Sequence, residues 1–167
     1  MGDKFIRIIT LAGSGGLLLF ALTQPCYCTR DCMNSVLVLL LGWAGTFVEL
    51  GAMLSWVLER LHGNTPAWPA DLGATLTWLA NPLLGCCWIT LRACPKQTAG
   101  LSLLATALSL SFLLFDKVIA DEAGNYRPVT GYGPGYWLWV SSCLAMLAGS
   151  AWLTHARGRN RRVTLVS

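Results

Sequence analysis

From residue 33 to residue 58 the chain carries a single charged side chain, Glu49, and comparably neutral stretches recur along its length. Apart from Glu49, its twelve Lys and Arg and seven other Asp and Glu fall in clusters between five apolar runs, at 8–22, 33–58, 72–91, 99–115 and 135–156. A soluble domain carries roughly 25% charged residues; here the share is 12%, against 54% hydrophobic. That leaves too little polar surface to cover a water-facing domain, so the chain is read as membrane-embedded.

A helix needs about 20 residues to cross the hydrocarbon core. The runs at 33–58, 72–91 and 135–156 meet this outright and 99–115 just does. The first run meets it when counted over 5–25 with Arg7 snorkelling, although Gly13, Ser14, Gly15 and Gly16 interrupt its middle. Leu22 to Cys26 offers neither a small-x-small cleavage site nor a lipoprotein box, so this run is read as retained. The expected fold is an all-α integral membrane protein. It is a polytopic bundle in one domain, 1–167, with spans at about 33–58, 72–91, 99–115 and 135–156, a fifth at 5–25, and a basic tail at 157–167.

Lys and Arg near the spans orient such a bundle. Arg157, Arg159, Arg161 and Arg162 of the tail, with Arg92 and Lys96, place the C-terminus in the cytoplasm. Five crossings put the N-terminus outside, with seven basic residues inside against five; if the first run does not cross, the division is nine against three. Charge favours four crossings and hydrophobicity five. Either way the loop holding Cys26, Cys28 and Cys32 faces the cytoplasm, where thiols stay reduced. A disulfide is therefore disfavoured there.

The C-x-C-x3-C spacing lacks a fourth ligand and the usual zinc pair spacing, so no metal site is expected. Cys86, Cys87, Cys94 and Cys143 read as small buried hydrophobes, and without a C-x-x-C pair a thiol oxidoreductase is disfavoured. A haem between His62 and His155 fails because the two fall on opposite membrane faces. No cofactor is implied.

Glu49 is the strongest local signal. An acid near the bilayer centre costs about 2.5–3.5 kcal/mol on insertion scales, so it should face other helices. Its stripe contains Gly42, Gly45, Thr46, Ala52, Met53 and Trp56, small and polar enough for close helix contact. Matching stripes are Ala74, Thr77, Trp78, Asn81, Gly85 and Trp88 in the third run, Ser102, Thr106 and Ser109 in the fourth, and Ser142, Ala145 and Gly149 in the fifth. Four helices, the second to the fifth, are thus expected around a polar interior. Pro82 removes the N–H that would bond the Trp78 carbonyl, and Glu49, if protonated, is placed to donate to that carbonyl or to Asn81. One reading is a midplane site for a proton, cation or small ligand using Glu49 and Asn81, with Thr106, Ser109 and Ser142 nearby. The other, favoured here, is a clasp that sets helix register.

Two longer connections, 59–71 and 116–136, fall on the outer face in either topology. The second offers Asp121, Glu122, Tyr126, Arg127 and Tyr132 to a partner protein. Its Gly131 to Gly135 segment reads as a flexible turn, since it lacks the ending of a phosphate-binding loop. Tyr136, Trp137 and Trp139 then mark the outer interface and Trp152 the inner one. The arginine tail suits anionic lipid headgroups, and no soluble basic domain exists to bind nucleic acid. The strings Trp78-Leu79-Ala80-Asn81-Pro82-Leu83-Leu84 and Gly135-Tyr136-Trp137-Leu138-Trp139 resemble those of small bacterial inner-membrane proteins, which implies a location and no activity. The expected role is a non-catalytic inner-membrane component: an accessory subunit or a partner-binding protein, for example of the immunity type. The alternative is a minimal transporter or proton relay built on Glu49. Catalysis ranks last, because spacing assembles no nucleophile, base and orienting group.

Overall fold

The computed structural model describes residues 2–66, 73–119 and 125–164, with side chains through Arg157. Helix α1 covers Asp3–Leu22 and leads into strands β1 (Pro25–Cys28) and β2 (Cys32–Asn34). Helix α2 (Ser35–Leu61) follows, its start capped by the Asn34 side chain, which accepts from Val36 N at 2.9 Å. After a 3-10 segment, Thr75–Leu79, come α3 (Ala80–Thr90) and α4 (Pro95–Ser111), the latter opening on a proline whose missing N–H costs nothing in a first turn. Strands β3 (Lys117–Ile119), β4 (Tyr126–Pro128) and β5 (Gly131–Tyr132) precede the long α5 (Pro134–Thr164).

Among the described residues, four helical stretches are long and apolar enough to cross a membrane: Asp3–Leu22, Ser35–Leu61, Pro95–Leu114 and Pro134–Arg157. The N-terminal run, the doubtful one by composition, is an unbroken helix despite its glycines. The third run is the interrupted one. Pro82 withdraws the donor for the Trp78 carbonyl, so the α-helical ladder does not extend upstream. Residues Thr75–Leu79 close as a 3-10 helix instead, leaving α3 with eleven residues.

The packed bundle consists of α1, α3, α4 and α5, not the second to fifth runs. Helices α1 and α5 run antiparallel, with Thr10 beside Gly149 and Ser14 beside Ser142. Helix α4 returns along both neighbours: Thr98 meets Thr90 of α3 at 2.9 Å, and Ser102 meets Ser150 of α5 at 3.1 Å. Ala80, Leu84, Cys87, Leu91, Ala105, Met146 and Leu153 fill the centre. Small residues and hydroxyls at the contacts let the backbones approach closely, which is how helices pack without a hydrophobic driving force between them.

The two ends of the bundle differ. At one end Arg7 donates to the Arg92 carbonyl at 2.8 Å and Asp3 lies 3.8 Å from Arg157, so the chain start, the α3–α4 turn and the later part of α5 gather together. At the other end β1 pairs antiparallel with both β2 and β5, with Tyr27 opposite Met33 and Tyr132. A second small sheet joins β3 to β4. This corrects the expected topology, because the cysteine loop and the connection before α5, assigned to opposite membrane faces, are hydrogen-bonded neighbours. Cys28 and Cys32 form a disulfide, so the expectation of reduced thiols is overturned as well.

Helix α2 does not return along α1. Ser35 donates to the Gln24 carbonyl at 2.7 Å. Fourteen residues on, about 21 Å along a helix axis, Glu49 bonds the segment around Ala74, which packs with Phe112, Val118 and Tyr136. Both points lie at the strand end. The helix therefore passes across that end, leaving most of its apolar surface exposed.

Candidate functional site

Glu49 is buried, as its stripe implied, but its partners differ from those expected. Gly73 N donates to Oε2 at 3.1 Å, Thr75 N to Oε1 at 3.3 Å and Leu76 N to Oε2 at 3.2 Å. The first N–H groups of a helix have no internal acceptor, and the carboxyl supplies one for the start of the 3-10 segment. A negative side chain at a helix N-terminus is also favoured by the helix dipole. Gly73 makes the approach possible. Its φ of 126° is unfavourable for other residues, and the Phe115 ring lies 2.7 Å from where a Cβ would stand.

The same contact brings α2 close to the third run. Thr46 donates to the Thr75 carbonyl at 2.8 Å, and Trp78 donates to the Leu39 carbonyl at 2.9 Å. Gly42 and Gly45 face Trp78 and Thr75 with no room for a side chain between them. These contacts tie α2 to the third run at the strand end of the bundle and not at its middle. Asn81 does not meet Glu49: its Nδ2 donates to the Trp78 carbonyl at 3.0 Å, beside the backbone N–H that the same carbonyl accepts at the end of the 3-10 segment.

The hydroxyls are also committed to the bundle. Thr106 donates to the Ser102 carbonyl at 2.8 Å and Ser109 to the Thr106 carbonyl at 2.9 Å. Ser142 donates to the Ser14 carbonyl at 2.7 Å. Among the described residues, no hydrogen bond joins Glu49 to any of these groups. Ser14 itself, set in the glycine cluster, was missed: its Oγ lies 3.1 Å from Ser142 Oγ and accepts from Trp88 Nε1 at 3.1 Å. The signal was present in the spacing of Thr10, Ser14 and Ala21, the buried face of α1.

Of the outer-loop residues, Tyr126 and Arg127 are exposed on β4, while Asp121 and Glu122 lie outside the described residues. Tyr132 is partly exposed and packs in an aromatic cluster. Its ring centroid lies 5.0 Å from that of Tyr136 and 5.8 Å from that of Phe112. Tyr136 is fully buried and donates to the Ser109 carbonyl at 2.9 Å, so it is no part of an interfacial belt, whereas Trp137 and Trp152 are exposed. The Gly131 to Gly135 segment is close-packed and not a flexible turn: Gly133 N donates to the Cys26 carbonyl at 2.7 Å, and Gly135 abuts Ser35 and Gln24.

Burial pushes the Cys26 thiol up to about 11, with a hydrogen bond to Ser35 partly opposing it. Burial likewise raises Tyr27 to about 12 and raises Tyr132, with Asp116 adding to the effect. A protonated, buried thiol beside a closed disulfide is poorly suited to hold a metal through thiolate. Between α2, the 3-10 segment and the ends of α1 and α5 lies a cavity of about 540 Å³, walled mainly by apolar groups such as Leu18, Val38, Leu41, Trp78 and Trp139. Compared with known protein families, curated proteins and solved structures, the chain matches none.

Proposed function

We propose that this chain is a non-catalytic integral membrane component that presents the strand end to a protein partner. The observation that carries the reading is the use made of its interior polar groups. Glu49 caps a helix, Asn81 bonds its own backbone, and the hydroxyls of α1, α4 and α5 bond to backbone or to one another. This chemistry goes to capping, to local backbone and to contacts between helices. A relay would need groups that exchange protons along a path.

In this reading the membrane is the inner membrane of a bacterium. Lys4, Arg7, Arg92, Lys96, Arg157, Arg159, Arg161 and Arg162 mark the cytoplasmic end, against Arg30, Arg60, Lys117 and Arg127 on the outer side. That asymmetry follows the positive-inside rule, and a disulfide at the opposite end suits an oxidising compartment. Helix α1, the stretch 75–90, α4 and α5 cross, while α2 lies in the outer leaflet. The exposed β4 residues Tyr126 and Arg127 form part of the partner surface.

Crosslinking in native membranes followed by purification tests the role. A protein recovered with the chain, and lost with Arg127→Asp while the chain itself stays folded, is the expected result. Recovery of the chain alone, together with a proton flux in vesicles that Glu49→Gln abolishes, would overturn the reading in favour of a relay.

A further inference from the structure

At the end opposite the strands a shallow cleft runs between α1 and α3, lined by Leu11 and Gly15 on one side and by Trp88, Ile89 and Arg92 on the other. Trp88, half-buried and donating to Ser14 Oγ at 3.1 Å, closes it on the inside. Ile89 is 79% exposed, so the cleft faces outward. A Cβ at Gly15 would meet nothing within 4 Å. A glycine inside a helix weakens it, and no helix contact of this chain uses the space that Gly15 leaves open.

The charge around the cleft is one-sided. Arg92 lines it, and Arg7 stands beside Arg92, on the face of α1 that continues through Leu11 and Gly15 at steps of four. Arg7 Nη1 donates to the Arg92 carbonyl at 2.8 Å, which brings the two arginines together at the rim. Among the described residues, Arg7 Nη2 has no hydrogen-bond partner, and it is not one of the buried unpaired atoms. Asp3 is the sole acid of α1, α3, α4 and α5, and it lies 3.8 Å from Arg157. Lys4, Arg7, Arg92 and Lys96 are thus left, among the described residues, without an acidic partner.

We propose that the cleft holds an anionic phospholipid, with its phosphodiester on the guanidinium groups of Arg7 and Arg92 and one acyl chain along Leu11, Gly15 and Ile89. Guanidinium groups suit phosphate oxygens through their planar N–H donors, and basic pockets between helices at the cytoplasmic side bind such headgroups. From Arg7 to Gly15 the helix rises about 12 Å, a length over which an acyl chain can lie. A zwitterionic lipid would bring an ammonium group to a site whose nearby acid already faces Arg157, so the site selects net negative charge. The assignment takes from the proposed function only that this end lies at headgroup depth. It is separate from the β4 surface offered to a partner protein, so either can fail alone.

The test uses the full chain in mixed vesicles of phosphatidylglycerol and phosphatidylcholine, with a photoactivatable diazirine on an acyl chain of one lipid or the other and labelled residues mapped by peptide mass spectrometry. The probe is in both leaflets, so the result does not depend on which way the chain is oriented. The ratio of labelling by the phosphatidylglycerol probe to that by the phosphatidylcholine probe removes effects of depth. This ratio is expected to be at least about fivefold higher at Leu11, Trp88 and Ile89 than at Leu103, an exposed apolar residue of α4 outside the cleft. Arg92→Gln, which removes one exposed cation, should lower the excess about fivefold and leave Leu103 unchanged. Gly15→Leu, placed where a side chain meets no neighbour, should bring cleft labelling by the phosphatidylglycerol probe down to that of the other. The two variants lie on different helices, so one remains informative if the other fails to fold. The proposal is overturned if the ratio in the cleft equals that at Leu103, if Arg92→Gln leaves it unchanged, if inorganic phosphate displaces the probe at constant ionic strength, or if α1 crosslinks across the cleft to a second copy.

Discussion

Replacing Glu49 by Gln exchanges one acceptor oxygen for an NH2 group facing backbone N–H donors. All three partners of this carboxyl are donors, so the carboxamide keeps one acceptor and opposes the rest. From the sequence alone, a clasp should tolerate the exchange, because Gln still forms hydrogen bonds; the geometry reverses that expectation. Glu49→Gln should cost about 1–3 kcal/mol, read as a lower midpoint in denaturant unfolding in detergent, and an unchanged midpoint would show that the carboxyl is not a cap. A second residue answers to pH. The Cys26 thiol, ordinarily near 9.0, is held at about 11 by burial. The folded state thus prefers the neutral thiol, so this contribution to stability is fully present below pH 9 and is lost as pH rises from 9 to 11. At pH 8 iodoacetamide should modify Cys26 on the order of 100-fold more slowly in the folded than in the unfolded chain, which timed mass spectrometry would measure. Equal rates would refute the buried placement.

At the scale of elements, the break in the third run has a testable cause. The Trp78 carbonyl accepts a backbone N–H at the end of the 3-10 segment and also Asn81 Nδ2. Asn81→Ala should remove only the second of these bonds and cost about 0.5–1.5 kcal/mol, read as a lower midpoint in thermal unfolding. Pro82→Ala returns the donor that an α-helical ladder needs there, so helicity by circular dichroism should rise; an unchanged spectrum would mean that the proline is not the cause of the break. The position of this break was legible in the sequence, because a proline's missing N–H is a local property. The partner of Asn81 was not, because an asparagine can turn to backbone, to a neighbouring helix or to solvent. The identity of the helix partners was equally hidden. Small-residue stripes occur on several runs, and nothing local distinguishes the face of α2 from that of α1, which carries Thr10 and Ser14 into the bundle.

At the scale of the molecule, the pairing of β1 with β5 joins the cysteine hairpin to the segment before α5, and the basic residues collect at the far end. Alkaline phosphatase fused after residue 30 should therefore be active outside the cytoplasm, and a fusion at the C-terminus inactive; the opposite pattern would invert the proposed orientation. Composition and the placement of charges were enough to establish a helical chain with membrane-length apolar segments and a buried acid, because these follow from how many polar atoms exist and where they fall. Tertiary structure alone decided which helices meet, that Cys28 bonds Cys32, and that Glu49 serves the start of the 3-10 segment. The physical reason is that apolar helices are nearly interchangeable as neighbours. Their order is set by which small residues, hydroxyls and strand edges come within reach of one another, and those contacts join residues more than a hundred positions apart, as between Ser14 and Ser142.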